Sequence, residues 1–353
     1  MTKPRHAPDQ SDSASPIAPD MNGWADAVET AERSCPRTGA QLILIPLAVV
    51  IALVAAGLAV GWLVSPRANP SDIVRELGKE HRGNWRKALV LANMLRNPQH
   101  AEYRRDRELA HQLRLLLDAE LDAAQMDKDQ IRLRVFLCRA LGEFETPESL
   151  PVLIEAGLTQ RDPAEIVVRR SAVEAVTVLA FRLGPKTVRE NRTLVDMALA
   201  ASQTFAGDIS LSRSSAELRG SAAFLLGVLG GEAALDRLVE LVEDPSPDVR
   251  FNAATGLARH GRIEAVPVLQ EMLDPDRADA VANERSEEGR QWKRALVVTN
   301  AMQAIDQLAE QVPASKLEPL IQSLDQLAGA DVPRPVQVQA RQKLQALKAL
   351  QAD

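Results

Sequence analysis

The chain has 353 residues, of which 46% are hydrophobic, 25% are charged and 3% are aromatic, and its formal net charge is −6. With so few aromatic residues the core must consist of Leu, Ala and Val, which favours layers of packed helices over a β-sandwich. The negative charge argues against nucleic-acid binding, because that function needs a surplus of Lys and Arg on one face. The composition predicts an all-α protein that does not bind nucleic acid.

The N-terminal forty residues are rich in Pro, Ser, Asp and Ala and show neither helical nor strand periodicity. Such a segment cannot bury enough apolar surface to fold, so residues 1–40 are predicted to be a disordered tail. The next segment, residues 42–64, contains no charged side chain. As a helix it would reach about 34 Å, which exceeds the roughly 30 Å of a bilayer core. We therefore predict a single transmembrane helix within residues 41–64.

The charges that flank this apolar segment predict its orientation. Two basic residues precede it within a short distance and four follow it: Arg33 and Arg37 before, and Arg67, Arg75, Lys79 and Arg82 after. By the positive-inside rule the large C-terminal part is expected on the cytoplasmic side. Gly57 and Gly61 are four residues apart, a spacing that lets two membrane helices approach closely and that indicates a weak homodimer.

Residues 65–128 are predicted to form membrane-proximal helices and an N-terminal cap of the domain that follows. The clearest helix covers about 101–123, where leucines recur at helical spacing. Its basic cluster, Arg104, Arg105 and Arg107, has two interpretations, an anion site or a solvated helix face. Acidic residues alternate with these arginines, which favours the solvated face.

From residue 129 the chain repeats a pattern that begins with an apolar residue followed by Arg. The four copies are Leu133-Arg134, Val168-Arg169, Leu218-Arg219 and Val249-Arg250. Positions three, four and seven after each Arg are small or apolar, and they share one helix face. These positions are Leu137, Cys138 and Leu141; Ala172, Val173 and Val176; Ala222, Ala223 and Leu226; and Ala253, Ala254 and Leu257. The pattern predicts four similar helices, each of which packs through this face.

Each predicted first helix is followed by a turn and a second apolar run, and three of the four units then end with an Asp-Pro pair. The pairs are Asp162-Pro163, Asp244-Pro245 and Asp274-Pro275, and a proline there ends one helix and can start the next. The opening arginines are 35, 50 and 31 residues apart. Because one helix pair fits in the shorter spacings, the longest one requires an insertion near residues 203–215. That insertion is either a tolerated surface loop or a loop that carries contacts.

These features resemble HEAT repeats, in particular the short bacterial type found in phycobilisome lyases. The resemblance covers residues 129–275 and includes the apolar–Arg openings, the Ala-rich first helices, and the Pro-Val-Leu starts of second helices at Pro151 and Pro267. It implies an α-solenoid, a curved stack of helix pairs whose inner surface binds other proteins. It implies no shared chemistry.

Residues 276–353 are predicted to hold a divergent repeat and a C-terminal helical cap. The stretch QWKRALVVTNAM at 291–302 is similar to NWRKALVLANML at 84–95, with Trp292 in the place of Trp85. We interpret both stretches as divergent repeats at the two ends of the array, where terminal units lack one neighbour.

The sequence contains no recognisable catalytic, metal or cofactor motif. Its five histidines form no HExxH motif, and no histidine is followed by glutamate, the pair through which one enzyme family of HEAT-like repeats binds iron. No P-loop or G-x-S-x-G motif is present either. The repeated arginines could form an anion track, but a structural partnership with neighbouring repeats is favoured. We predict that the chain is not an enzyme and has no catalytic, cofactor-binding or metal-binding residues.

The predicted function is that of a membrane-tethered scaffold or adaptor that binds a protein partner, of unknown identity, on its solenoid surface. The alternative is an accessory to an enzyme, such as a lyase, that acts on a protein-bound substrate. In that alternative Cys138 could be the reactive residue, although its position on the packed face favours a role in the core.

Overall fold

A computed structural model describes residues 69–78, 84–203 and 212–352, which belong to one compact unit that begins at Asn69. In these residues every regular element is a helix. The α-helices are α1 Pro70–Leu77, α2 Asn84–Arg96, α3 Arg107–Ala123, α4 Lys128–Gly142, α5 Leu150–Leu158, α6 Ile166–Leu183, α7 Pro185–Arg189, α8 Arg192–Ala201, α9 Ser212–Leu229, α10 Glu232–Leu241, α11 Pro247–Arg259, α12 Val266–Leu273, α13 Glu287–Ala309, α14 Glu318–Gly329 and α15 Arg334–Ala352. The prediction of an all-α fold is confirmed for this part of the chain.

The helices are arranged in two layers. In the first layer α2, α4, α6, α9, α11, α13 and α15 pack side by side in chain order. The second layer lies against this row and consists of helices that alternate with it in sequence. These helices are α3, α5, α8, α10, α12 and α14. Such a stack, in which each unit contacts its neighbours in sequence, is an α-solenoid, and this prediction is also confirmed.

Short polar side chains determine where several of these helices begin. Asp127 caps α4 by accepting hydrogen bonds from the amides of residues 129 and 130 at 3.1 and 3.2 Å. In the Asp-Pro turns Asp162, Asp244 and Asp274 accept a bond from the amide two residues later, at 2.8–3.0 Å. The aspartate therefore accepts the hydrogen bond of the first amide after the proline, which has no N–H of its own, and the turn connects two helices.

The predicted packing face forms the core of the first layer. Positions three, four and seven after each repeated arginine are all buried, with at most 1% of their surface exposed. Small residues at this face bring the backbones together. A Cβ added to Gly142 would lie 2.7 Å from the Cα of Ala175, and one added to Gly227 would lie 2.6 Å from the Cα of Gly256. Any side chain at these two points, even the methyl group of Ala, would push the helices apart.

The long repeat between Arg169 and Arg219 contains additional structure. The short helix α7 follows a glycine with a left-handed backbone, Gly184 at φ 94°, and packs against α6 and α9. The predicted insertion at 203–215 lies only in part within the described residues, since 204–211 fall outside them. Its last residues belong to the first turn of α9.

The two similar stretches that contain Trp85 and Trp292 both lie in the first layer. Trp85 is in α2 and Trp292 is in α13. Trp85 packs partly buried against the core, whereas 69% of Trp292 is exposed. The similar sequences therefore occupy the same kind of position but make different contacts.

One prediction requires correction. Within the described ranges no helix is both long enough and apolar enough to cross a bilayer. This finding contradicts the prediction of a single-pass membrane protein whose solenoid lies on the cytoplasmic side. The predicted span at 42–64, with Gly57 and Gly61, and the predicted tail at 1–40 lie outside the described residues.

Candidate functional site

The repeated arginines are structural, as their spacing suggested. Arg134, Arg169 and Arg219 are buried. Arg134 donates to Glu165 at 3.1 Å and to the carbonyl of Gln125, and Arg169 donates to the carbonyl of Gly157 at 3.2 Å. Each arginine is thus held by the loop or helix end beside its own helix. These side chains are not available to form an anion track.

Two further arginine contacts complete this interior network. Arg219 binds Asp244 through two parallel hydrogen bonds of 2.8 and 3.0 Å and donates to the Ser215 hydroxyl at 3.0 Å. Arg250 donates to the carbonyl of Asp244 at 2.8 Å and to Glu271 at 3.2 Å. Desolvation tends to lower the pKa of Arg250, but the Glu271 carboxylate outweighs it and raises the pKa. Fixed in this way, the turns of the Asp-Pro segments hold the first-layer helices at a constant spacing.

A groove with a volume of about 1900 Å³ runs across the first layer. Its walls come from α6, α9 and α11, from the segments before α6, α11 and α13, and from Lys293 near the start of α13. Side chains of opposite charge line it, and they are connected across neighbouring helices. The groove is a candidate binding site in the part of the chain that the structure describes.

The polar side chains of the groove pair with one another. Arg170 on α6 binds Glu217 on α9, and the Ser221 hydroxyl on α9 donates to Glu174 on α6 at 3.3 Å. Farther along, Asn252 on α11 donates to the backbone carbonyl of residue 220 at 3.0 Å. Lys293 on α13 lies 3.1 Å from an Asp248 carboxylate oxygen. These contacts fix the surface in place and leave few polar groups that demand a ligand.

The groove also exposes a pair of aromatic rings. Phe181 on α6 and Phe224 on α9 lie 6.1 Å apart between ring centroids, and 56% and 37% of their surfaces are exposed. The Arg259 guanidinium lies 5.9 Å from the Phe224 ring, and burial lowers the pKa of Arg259. Exposed aromatic rings beside an arginine are the side chains that most often dominate protein–protein binding.

Cys138 does not reach this surface. Its side chain is fully buried on the packed face of α4, and burial raises the pKa of its thiol to about 12. A thiol with that pKa is not a thiolate at neutral pH and is a poor nucleophile. The lyase alternative thus loses the residue on which it was based.

The basic cluster at 104–107 is also engaged in the fold. Arg104 donates to the carbonyls of Leu95 and Arg96, both at 2.7 Å. Arg105 pairs with Glu145 at 2.7 Å, and Arg107 lies 3.5 Å from Glu148. Arg105 and Arg107 are nonetheless 80% and 78% exposed, as on a solvated face, while Arg104 connects this segment to α2.

The histidines and acidic residues do not form a recognisable metal centre. Among residues 69–78, 84–203 and 212–352, no group of three or more His, Cys, Asp and Glu side chains could hold a metal ion. His260, at the end of α11, instead lies 2.9 Å from the carbonyl of Gly227 through its Nε2. The predicted absence of a metal site stays a prediction.

The sequence analysis missed Phe181 and Phe224. Phe224 lies five residues after its repeated arginine, where the other copies have Arg139, Glu174 and Thr255. An aromatic residue at a position that is otherwise polar in the repeat is a signal that the sequence contains.

The two packed layers define the chain as an α-solenoid. Residues 207–286 match the family model of HEAT repeats, so the chain contains HEAT repeats and the resemblance is supported at this level. The match covers α9 to α12 and ends just before α13. No curated protein matches the chain. The short bacterial subtype is not tested by these comparisons.

Among solved structures the chain is similar to that of human deoxyhypusine hydroxylase in complex with glycerol. The identity is 19%, the TM-score is 0.28, and the match covers 83% of this chain and 99% of that chain. The matching protein is an enzyme by its name, which contradicts our prediction that this chain is not an enzyme. At such a TM-score the likeness assigns no activity to this chain.

Proposed function

We propose that the chain is a scaffold or adaptor that binds a partner protein in the groove between α6, α9, α11 and α13. The observation that carries this proposal is the exposed Phe181–Phe224 pair. Burying a large aromatic side chain contributes about 1.5–3 kcal/mol, so a partner that covers both exposed rings gains substantially from apolar contact.

The size of the groove favours a protein segment as the ligand. Pockets for small molecules typically have volumes of about 300–1,000 Å³, whereas this groove has about 1900 Å³. Its polar side chains satisfy one another, as in the Arg170–Glu217 pair. A ligand therefore gains most from apolar contact with the phenylalanines, with the paired charges as a polar rim.

The rigidity of the groove also supports a scaffold. The bonds from Arg219 to Asp244 and from Arg250 to Glu271 hold the loops at its edge. A preformed surface binds without a large cost in conformational entropy, which is the advantage of a solenoid as a platform.

Site-specific photocrosslinking in the native host tests this function. A benzoylphenylalanine at Phe181 should crosslink to one protein, or a few, that mass spectrometry can identify, and Phe224→Ala should weaken that crosslink severalfold. Leu115 on α3 is the matched control, since it is 46% exposed but lies outside the groove.

The proposal requires that the crosslinked products depend on the site of the probe and on the presence of the Phe224 ring. If the probes at Phe181 and Leu115 give the same products, or if Phe224→Ala leaves the Phe181 products unchanged, the groove is not the binding surface.

A further inference from the structure

The first layer carries a second unusual group of side chains at its N-terminal end, on α2 and α4. We call it the cationic–aromatic cluster, and it consists of Trp85, Arg86, Arg132, Phe136 and Arg139. The Trp85 and Phe136 rings are stacked, with centroids 6.1 Å apart and planes inclined by 22°. Two aromatic rings and three guanidinium groups are therefore gathered across the surface of two neighbouring helices.

Each arginine of the cationic–aromatic cluster lies against an aromatic ring. The Cζ atoms of Arg86 and Arg132 are 4.9 and 5.1 Å from the centroid of Trp85. The Cζ atom of Arg139 is 5.4 Å from the centroid of Phe136. At these distances the ring attracts the cation and orients its plane. The side chains are thus ordered before any ligand arrives.

The charges of the cluster are poorly neutralised. Among the described residues only Arg132 has a carboxylate partner, Asp129, at 3.5 Å, and none lies within ion-pair distance of Arg86 or Arg139. Elsewhere on these helices carboxylates are used: Glu143 binds both Arg96 and Arg182. The surplus is local, since the whole chain has a net charge of −6.

The cluster and the groove share one face of the first layer. Arg139 lies five residues after the repeated arginine of its helix, α4. Glu174 in α6 and Phe224 in α9 lie at the same distance after theirs. Both of the latter residues line the groove. A chain segment bound in the groove and extended toward the N-terminal end would therefore meet the cluster.

A stacked guanidinium is suited to a carboxylate. Stacking covers the face of the guanidinium but leaves N–H groups at its edge, and two of them match the two oxygens of a carboxylate. Val90, one turn after Arg86 on α2, is 49% exposed and adds an apolar contact beside the charges.

Single-stranded nucleic acid is the other ligand that aromatic and basic residues can bind, because bases stack on free ring faces. The Trp85 ring, however, is already flanked by Phe136 and by two guanidinium groups. Its surface therefore offers charge and hydrogen-bond donors rather than a stacking platform.

We propose that the cationic–aromatic cluster binds an acidic segment of the partner protein, through the carboxylates of Asp or Glu side chains. This inference rests on the proposed scaffold function and specifies the chemistry of the partner. It divides the surface into an apolar contact at Phe181 and Phe224 and a carboxylate contact at Arg86 and Arg139.

Fluorescence anisotropy with the full chain and a fluorescein-labelled peptide of twelve glutamates tests the inference. The wild type should bind the peptide, and binding should weaken as salt increases. The double variant Arg86→Ala/Arg139→Ala should lose at least about tenfold in affinity, because charge-assisted hydrogen bonds are lost. Arg86→Lys/Arg139→Lys should recover little, since lysine keeps the charge but cannot bind a carboxylate through two parallel bonds.

The control variant is Arg75→Ala/Arg290→Ala, which removes the same charge from surface arginines outside the cluster, and it should bind as the wild type does. Thermal melts would show that every variant is folded. The inference is overturned if the wild type does not bind the peptide, if control and cluster variants lose affinity equally, or if the lysine variant binds fully. Tighter binding of a twelve-residue oligouridylate than of the peptide would also overturn it.

The two proposals can fail separately. A partner crosslinked at Phe181 that persists when the glutamate peptide does not bind leaves the scaffold function in place and removes only the carboxylate site. If the Phe181 crosslink is absent as well, both proposals fail.

Discussion

Arginine has two different roles in the first layer of helices. Arg134 and Arg219 are buried, and each binds a carboxylate, Glu165 and Asp244 respectively. Arg86 and Arg139 lie on the surface against aromatic rings and have no carboxylate within ion-pair distance in the described part of the chain. The buried arginines recur at one register of the repeat, and the surface arginines do not.

The difference teaches which arginines serve the fold. A residue that recurs at the same position in every repeat is needed for the packing of each repeat. The recurring arginines Arg134, Arg169 and Arg219 meet this need because they are buried and bind the adjacent loops and helix ends. A cation that appears once, on an aromatic ring and without a partner, has no such explanation. Recurrence thus points to structure in a solenoid, while departure from the repeat points to function.

Removal of a buried arginine should give the largest effect. Arg219→Ala leaves Asp244 buried and unpaired, and breaking a buried ion pair in this way typically costs about 3–5 kcal/mol. Arg139→Ala is the surface counterpart and should change the free energy of unfolding by less than about 0.5 kcal/mol. Urea denaturation followed by circular dichroism measures both values.

The double variant Arg219→Met/Asp244→Asn sharpens this comparison. It removes both charges but keeps a side-chain oxygen that can accept a hydrogen bond from the amide of residue 246, so it should recover much of the stability lost in Arg219→Ala. Equal destabilisation by Arg219→Ala and Arg139→Ala would show that the assumed distinction between buried and surface arginines is wrong.

Glycine allows the same comparison between interior and surface. Gly227→Ala would place a Cβ 2.6 Å from the Cα of Gly256, whereas Gly329→Ala meets no atom within 4 Å. Overpacking of this kind costs about 1–3 kcal/mol, while Ala is favoured over Gly by up to about 1 kcal/mol inside a helix. Gly227→Ala should therefore lower the unfolding midpoint in urea, and Gly329→Ala should leave it unchanged or raise it.

A rise of both midpoints by the same amount would mean that helix propensity, not the contact between α9 and α11, determines the effect of these glycines.

Much of the fold could be predicted because the repeated sequence pattern identifies the buried face of each helix. The apolar–Arg openings, and the small residues three and four positions later, fix one helix face, and Ala222 and Ala253 are buried as expected. The Asp-Pro pairs predicted the turns correctly because the aspartate accepts a hydrogen bond from an amide only two residues later. Local rules of this kind act within a few residues and can be read without a structure.

The candidate site could not be predicted in this way. The groove forms because α6 and α9 become neighbours, although Phe181 and Phe224 are 43 residues apart in sequence. The cationic–aromatic cluster likewise joins Trp85 on α2 with Phe136 on α4. Contacts between surface side chains of different repeats depend on how helices stack, and no periodic pattern in the sequence records them.

The smallest expected effect is the change in stability on acidification, which should differ between a buried and an exposed carboxyl group. Burial alone would raise the pKa of Glu165, but hydrogen bonds from Arg161 outweigh it, and the pKa lies below its ordinary value of 4.5. A carboxyl group with a lowered folded-state pKa stabilises the fold above its unfolded-state pKa, and this contribution is lost as the pH falls through the folded-state value. Glu165→Gln should therefore be less stable than the wild type at pH 7, and the difference should shrink below about pH 4.5.

Glu145 provides the surface control for this measurement. A hydrogen bond from Arg105 lowers the pKa of Glu145 in the same direction, but Arg105 is 80% exposed. Solvent screens such an ion pair, so Glu145→Gln should change the unfolding midpoint little at either pH. Urea midpoints measured at pH 7 and at pH 3.5 would decide the matter. If Glu145→Gln loses as much stability at neutral pH as Glu165→Gln does, burial is not what makes the ion pairs of the repeat interior important.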